Sequence, residues 1–290
     1  MIDLHCHSLF SDGDQMPNDL LRKANELKLN FFSITDHNNC FAYEKMDKKI
    51  FDGTVINGVE LVTSFEKNII ELLGYGVSIE VINNWNREYI RKEKQFAAEI
   101  YHRMIEIYEK MGIKYSKNND INKLFEQDDP TGKVKQFLYK DLLKYEENIN
   151  RIGKEILESY SAFNKKGLNN PKSIIFLNEY TRFPKIEEVE RLIHESGGLC
   201  FLAHLYQYNI ENHIAFLEKI KNTIKLDGVE VIHSSFSIEQ IKEINEEADR
   251  MQLYKSGGSD YHGKLKPGIK MGLDLQIPDN IIEPWINKVV

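Results

Sequence analysis

The sequence predicts an α/β fold of parallel βα units, a single barrel interrupted by one helical insertion. Three observations predict it. Short apolar runs of strand character alternate with segments of helical periodicity in both the first and last thirds of the chain. Histidines and carboxylates recur where those apolar runs stop. That is the level at which the strand ends of a closed parallel barrel surround one site. From residue 85 to 182 the alternation gives way to long helical stripes. The chain has 290 residues, 41% of them hydrophobic. A barrel takes roughly 250 residues before insertions, so one barrel with an insertion suits the length as well as two domains.

Ile2 to Leu4 is an apolar strand that ends in His5-Cys6-His7. Alternate strand residues point to one side, so His5 and His7 converge while Cys6 faces away. Asp12 follows in a turn with Gly13 and is a third potential ligand. Imidazoles and carboxylates are standard ligands of zinc, manganese and iron. The bland alternative is a His pair solvated at a strand end. Pro17 suits a first helical turn, and Leu20, Leu21, Ala24 and Leu27 form the apolar face that follows. Phe31 to Ile34 is a second strand, ending in Thr35-Asp36-His37. Thr54 to Val59 is a third, ending at Glu60. A Glu in that position is paired, solvated or bound to a cation. Ile69 to Tyr75 is a fourth, with Glu71 inside its apolar run. Such a carboxylate sits on a solvent-facing edge or points into a polar site; the run alone favours the edge.

Tyr89, Phe96, Ile100, Met104, Ile107 and Met111 then make one long helical stripe, closed by Gly112. Asn118 to Gly132 reads as a polar loop marked by Pro130 and Gly132. Val134 to Tyr145 and Ile149 to Phe163 read as two more helices, stopped by Gly167 and Pro171. The aromatic and Met stripes are core rather than a cofactor box. Insertions of this kind commonly act as lids. Lys133 and Lys135 would bind substrate if this one covers a site; otherwise they form a solvated face.

The alternation then resumes. Ile186 to His194 is a helix stopped by Gly197-Gly198. Leu199 to Ala203 is a strand ending in His204, and Ile214 to Ile220 a helix. Gly228 to Ile232 is a strand ending in His233, and Ile238 to Met251 a helix. Tyr254 to Ser256 is a short strand running into Gly257-Gly258-Ser259-Asp260-Tyr261-His262-Gly263. His102, His194 and His213 fall on helices and read as surface or packing residues.

A net charge of −7 excludes the basic footprint expected for duplex nucleic acid, while a nucleotide or short oligonucleotide stays compatible. Three scattered cysteines are too few for a disulfide framework and suggest a reducing cytoplasm. No signal peptide and no membrane-spanning run is expected. The strand-end set is His5, His7, Asp12, His37, Glu60, His204, His233, Asp260 and His262, with Glu71 beside it. It is large enough for two or three metal ions, whose mutual repulsion bridging carboxylates would offset.

In motif order and spacing this set resembles the PHP family, named for polymerase and histidinol phosphatase. The motifs are His5-Cys6-His7 with Ser11-Asp12-Gly13, Thr35-Asp36-His37, Gly58-Val59-Glu60, Ala203-His204 and Ser259-Asp260-Tyr261-His262-Gly263. The resemblance implies a distorted (β/α)7 TIM-like barrel from residues 1–84 and 183–290, with 85–182 as a helical cap. It implies two or three divalent ions, manganese, iron or zinc. Carried over by position, His5, His7, Glu60 and Asp260 would hold the first ion. Glu60 would bridge to a second, completed by His204 and Glu71, and Asp12, His37 and His262 would hold a third. Two departures stand out: Glu71 replaces the usual His, and Leu205 follows His204 where Pro is usual. A harder oxygen ligand would shift preference from zinc toward manganese or iron.

The implied activity is that of a stand-alone metal-dependent phosphoesterase. It would cleave a phosphate monoester, or a phosphoester of a nucleotide or short oligonucleotide, with a metal-activated hydroxide. Asp260 and His233 would be catalytic, His233 protonating the leaving group or contacting phosphate. The partner is then a small phosphorylated substrate, with no duplex nucleic acid and no membrane. Three other readings compete: a histidinol-phosphate-type phosphatase, an inactive metal-binding module, and an amidohydrolase. The last usually bridges its metals with a modified Lys, and no comparable strand-end Lys is evident here.

Overall fold

A computed structural model describes residues 1–117, 120–126, 129–177, 182–272 and 277–290. It divides the chain into two compact units, Met1–Asn86 with Phe183–Val290, and Arg87–Arg182. The first unit is a mixed α/β structure with two sheets. β1 (Ile2–Asp3), β2 (Phe31–Phe32) and β3 (Thr54–Val55) form a short parallel sheet in that order. β4 (Gly58–Phe65), β5 (Asn68–Tyr75), β6 (Leu199–Leu202), β7 (Gly228–His233) and β8 (Tyr254–Gly258) form the second, also in sequence order. No closed barrel is found among the described residues.

The expected run of parallel βα units holds for β1–β3 and for β6–β8, and fails between them. β4 and β5 are an antiparallel hairpin, and β5 pairs antiparallel with β6. The third predicted strand is therefore two: Thr54–Val55, then a separate β4 in which Glu60 is third, not terminal. The hairpin turns through Glu66 and Lys67, both at positive φ (45° and 63°). A two-residue turn of that shape normally uses Asn-Gly or Asp-Gly, so the sequence carries no hairpin signal there. Glu60 pairs with Leu73 and Glu71 with Val62 in the register.

The sheets adjoin at the candidate site. Leu4 N bonds Gly257 O at 3.1 Å, Asp260 N bonds His5 O at 2.8 Å, and His7 N bonds Tyr261 O at 2.9 Å. Gly258 permits this approach: a Cβ there would lie 2.3 Å from His5 Cβ. On the other side Glu60 N bonds Asp36 O at 3.2 Å and Asn38 N bonds Glu60 O at 2.7 Å. Beneath the strands Ile2, Leu4, Tyr75, Phe201 and Trp285 form a buried cluster.

The helices match the apolar periodicities with revised ends. α1 (Pro17–Glu26) buries Pro17, Leu20, Leu21 and Ala24. After the short α2 (Phe41–Glu44), α3 (Ile79–Met111) contains the boundary between the units and ends at Gly112, whose φ of 63° suits glycine. In the second unit, α4 (Asn122–Phe125) falls inside the predicted polar loop, of which 118–119 and 127–128 lie outside the described residues. That loop does not reach Gly132. α5 (Pro130–Leu142) starts earlier because Pro130 takes the first turn and the Asp129 carboxylate accepts the Gly132 N–H at 3.0 Å. The predicted Ile149–Phe163 helix is broken into α6 (Glu147–Ile152), α7 (Lys154–Leu157) and α8 (Tyr160–Ala162). Gly153 at φ 106° makes the first break. At the second, Ser159 caps α8 through the Ala162 N–H at 3.0 Å. Met104, Tyr108, Leu138 and Phe163 lie in the core of this unit.

α9 (Ile186–Glu195), α10 (His213–Thr223), α11 (Ile238–Arg250) and α12 (Glu283–Ile286) complete the first unit. α11 opens with a capping box between Ser237 and Gln240. Among the described residues no helix is long and apolar enough to cross a membrane.

Candidate metal centre

One carboxylate organises the site. Glu60, fully buried, points into a ring of four imidazoles. Its Oε2 lies 3.3 Å from His5 Nε2, 3.2 Å from His7 Nε2 and 3.3 Å from His37 Nδ1. Its Oε1 lies 2.8 Å from His204 Nε2. Asp260, past the end of β8, adds a second carboxylate: Oδ1 is 3.7 Å from His5 Nε2 and 3.4 Å from His7 Nε2. Asp12, half-exposed in its turn, faces His262 Nε2 at 3.1 Å, His7 Nδ1 at 3.3 Å and His37 Nε2 at 3.6 Å. Glu71 reaches His37 Nδ1 at 3.4 Å and His204 Nε2 at 3.3 Å. Thus Glu71 points into the polar site, not outward from an edge.

The ten clustered residues anticipated from the strand ends, Glu71 included, meet here. Six of the nine histidines take part, His5, His7, His37, His204, His233 and His262. His194 instead packs between Glu190 and Asp227. Lys133 is exposed and Lys135 half-buried on α5 of the second unit.

The donor set fits divalent cations on two grounds. The Nε2 atoms of His5, His7 and His262 are buried and have no hydrogen-bond partner, a costly arrangement unless something else binds them. Most of the nitrogen–oxygen separations, at 3.1–3.4 Å, are also long for charge-assisted hydrogen bonds. Two ligands each ~2.0–2.2 Å from a shared ion sit roughly 3–3.6 Å apart. Groups within reach of a single ion are His7, Asp12, His37 and His262; His5, His7 and Asp260; His5, Glu60 and His204; His5, Glu230 and His233; and His37, Glu60 and Glu71.

The electrostatics agree. Burial disfavours charge throughout the cluster, and opposite charges override it. Glu60 and Glu230 hold His5 well above the usual imidazole range. Glu60 and Glu71 raise His204 to about 10. In return His5 and His37 hold Glu60 well below the carboxylate range. Asp12 is held low by His262, His37 and His7, and Asp260 by His233 and His7. Carboxylates strong enough to keep protons on buried imidazoles are strong enough to favour a cation in their place.

The PHP-domain profile matches residues 3–231 of the sequence. The chain belongs to the PHP-domain family. Among its relatives are a 5′-3′ exoribonuclease of Haemophilus influenzae, 26% identical over 98% of this chain and 97% of that one, and the 5′-3′ exoribonuclease Rnm of Escherichia coli, 25% identical over 98% and 92%. A Bifidobacterium adolescentis protein assigned as a metal-dependent phosphoesterase shares the fold, with a TM-score of 0.66 at 21% identity over 100% and 96% of the two chains. An amidohydrolase of Chromobacterium violaceum with bound sulfate and no metal superposes at a TM-score of 0.61, 18% identical over 95% and 99%. This PHP domain is a metal-dependent phosphoesterase, a hydrolase acting on phosphoesters.

Several groups around the PHP centre escape sequence reading. Asp36 accepts Ser8 N at 2.7 Å, Ser8 Oγ at 2.6 Å and Ser11 Oγ at 2.6 Å, tying the first motif to the second. Asp3 does the same on the far side, taking Ser259 N, Ser259 Oγ and Gly272 N at 2.6–2.9 Å. Lys266 Nζ lies 2.8 Å from Asp260 Oδ2. Glu230 is fully buried beside His5. The available signal was a carboxylate inside an apolar strand, the same one that drew attention to Glu71.

Proposed function

We propose that this PHP domain hydrolyses phosphoester bonds at the 5′ end of short single-stranded RNA. Exoribonuclease relatives that match nearly end to end support the substrate class. The acidic net charge agrees with a small or single-stranded substrate. The observation that carries the chemistry is Glu60 shared among four imidazoles. In this reading His5, His7, Glu60 and Asp260 would hold a first ion, and Glu60, His204 and Glu71 a second. Asp12, His37 and His262 would hold a third, with His7 also in reach of it. The parallel ends of the two sheets, joined through His5, His7 and Glu60, support a distorted (β/α)7-type arrangement. The three cysteines, free and buried, suit a reducing compartment such as the cytoplasm.

Bound manganese, iron or zinc supplies Lewis acidity and a water of lowered pKa. The remaining steps fall to side chains. His233 is buried, and its Nδ1 accepts the Ser235 N–H at 3.1 Å. Its proton therefore sits on Nε2, which lies 3.6 Å from Asp260 Oδ2. That proton is placed for transfer to a leaving oxygen. Asp260 orients it, and Lys266 orients Asp260.

The test is product release from 5′-phosphorylated RNA trimers, 5′-hydroxyl trimers, matched DNA, histidinol phosphate and an aryl phosphate, with manganese and after chelation. Chelator-sensitive release favouring 5′-phosphorylated RNA is expected. A preference for histidinol phosphate would overturn the substrate class, and release unaffected by chelation would overturn the metal reading.

A further inference from the structure

Glu230 lies inside β7 with none of its surface exposed, and both its oxygens are engaged. Oε1 is 3.0 Å from His5 Nδ1. Oε2 accepts the backbone N–H of His204 at 2.8 Å. The two nitrogens of an imidazole point in divergent directions. A proton held on Nδ1 by Glu230 leaves the Nε2 lone pair of His5 aimed at Glu60 and Asp260, where that atom has no hydrogen-bond partner.

The second contact addresses a different strain. His204 has φ +24°, in a region that favours glycine. Strained residues persist only when their surroundings over-determine them. A charge-assisted bond to its own amide is such a restraint, and it sets the direction in which the His204 ring leaves the end of β6.

A β-bulge brings His233 to the side of this carboxylate. Pairing of β7 with β8 steps from Glu230–Ser256 to Ile232–Gly257, so Val231 is an extra residue. In a regular strand Glu230 and His233, an odd number of residues apart, would face opposite sides. The bulge re-aims the strand, and both residues come to His5: Glu230 by contact, His233 with ring centroids 5.9 Å apart.

We infer that Glu230 is a positioning residue, a single buried carboxylate that fixes the ring tautomer of His5 and the backbone of His204 and so sets two metal-binding side chains at once. The inference rests on the reading of His5 and His204 as ligands. Glu230 is not itself a ligand in this scheme, because its oxygens are spent on the Nδ1 side of His5, away from Glu60 and Asp260.

The test is Glu230→Gln, which keeps the volume but sets an amide N–H against a donor. Manganese affinity and stoichiometry are measured on the full chain by titration calorimetry and elemental analysis, with circular dichroism and thermal unfolding of the metal-free protein as folding controls. Affinity is expected to fall about 10- to 100-fold in a protein whose metal-free form melts lower but is still folded. Unaltered affinity and stoichiometry would overturn the inference. His5→Gln separates the two readings. If it loses an ion while Glu230→Gln does not, the positioning role alone fails. If it too binds the full complement, the ligand reading fails. Should Glu230→Gln not fold, the wild type decides. Long-range 1H–15N spectra of the zinc-loaded protein should show the His5 proton on Nδ1, and a proton on Nε2 would overturn the inference.

Discussion

Glu60 and His204 stand 144 residues apart in the chain and 2.8 Å apart in space. One comes from the third position of a hairpin strand, the other from a strained residue just past β6. The same carboxylate lies within 3.3 Å of His5, His7 and His37. Asp260 also faces four imidazoles, but at 3.4–3.7 Å, whereas those of Glu60 lie at 2.8–3.3 Å, so the loss of Glu60 should be felt at more than one ion. Glu60→Gln is expected to lower metal content below that of any single-His variant and to cut kcat/KM by about 1000-fold or more. Elemental analysis with steady-state kinetics checks this. Full metal content in the variant would show that Glu60 is not shared between ions.

Removing the ions should weaken the fold as well as stop the reaction. Chelation leaves Glu60, Asp260, Asp12 and Glu71 facing one another across the imidazoles, and any ligand that binds only the folded state adds stability by mass action. Metal at ~100 times its dissociation constant contributes about 2.7 kcal/mol, or roughly 5–10 °C in Tm for a chain of this size. Scanning calorimetry before and after chelation, with manganese added back, gives the difference.

Glu71 offers a test of metal preference. It reaches two histidines from inside β5, in a position where family resemblance expects a third imidazole. Oxygen ligands favour manganese over softer competitors, and imidazole suits zinc. Glu71→His should therefore shift competition between manganese and zinc toward zinc, by about tenfold for one ligand exchanged. Competitive loading followed by elemental analysis reads the ratio directly. Glu71→Ala should lose affinity for both.

Much of this centre was legible because its ligands are chemically distinctive and sit at the ends of apolar runs. His5 and His7 alternate as a strand requires, and His37, His204 and His262 each follow a short strand. What stayed hidden depends on pairing, which a single sequence does not display. The hairpin that carries Glu60 and Glu71 turns at Glu66-Lys67, residues with no turn signature. The bulge at Val231 brings His233 to the same side as Glu230, and nothing in Gly228-Val229-Glu230-Val231 announces an extra residue. Helix ends were misjudged where a cap overrides composition, as Asp129 does for Gly132. The functions of Asp3 and Asp36 were invisible for a related reason: their partners are backbone N–H groups and serines from distant segments.

His233 should separate proton transfer from metal binding. Its ring is buried, its Nδ1 is occupied by Ser235, and its Nε2 is turned to Asp260 at 3.6 Å. His233→Gln is expected to reduce kcat about 100- to 1000-fold while leaving ion stoichiometry intact. The loss should shrink with substrates whose leaving group needs no proton, such as a nitrophenyl ester. Equal losses on both substrates would assign His233 to phosphate contact instead.

A last prediction concerns stability away from the centre. His194 on α9 lies 2.6 Å from Glu190 and 2.6 Å from Asp227, which also accepts the Cys200 N–H at 2.9 Å. The Asp227 hydrogen bond leads in raising the His194 pKa above its ordinary value, against partial burial. Burial would raise Asp227, but His194 and Cys200 hold it below the carboxylate range. The signs follow. A raised His contributes stability in full below its unfolded pKa of ~6.5 and loses it as pH climbs through the folded value. A lowered Asp contributes above ~3.9 and loses its share as pH falls. The triad should thus support the fold most between these limits and less above neutrality. Allowing for solvent screening at a partly exposed site, its contribution is about 1 kcal/mol, or roughly 2–4 °C in Tm. Melting wild type and His194→Gln side by side from pH 5 to 9 isolates it, because metal effects common to both cancel. The gap should be widest near pH 5–6 and narrow as pH climbs through the raised His194 pKa, and a gap independent of pH would show that His194 acts by packing alone.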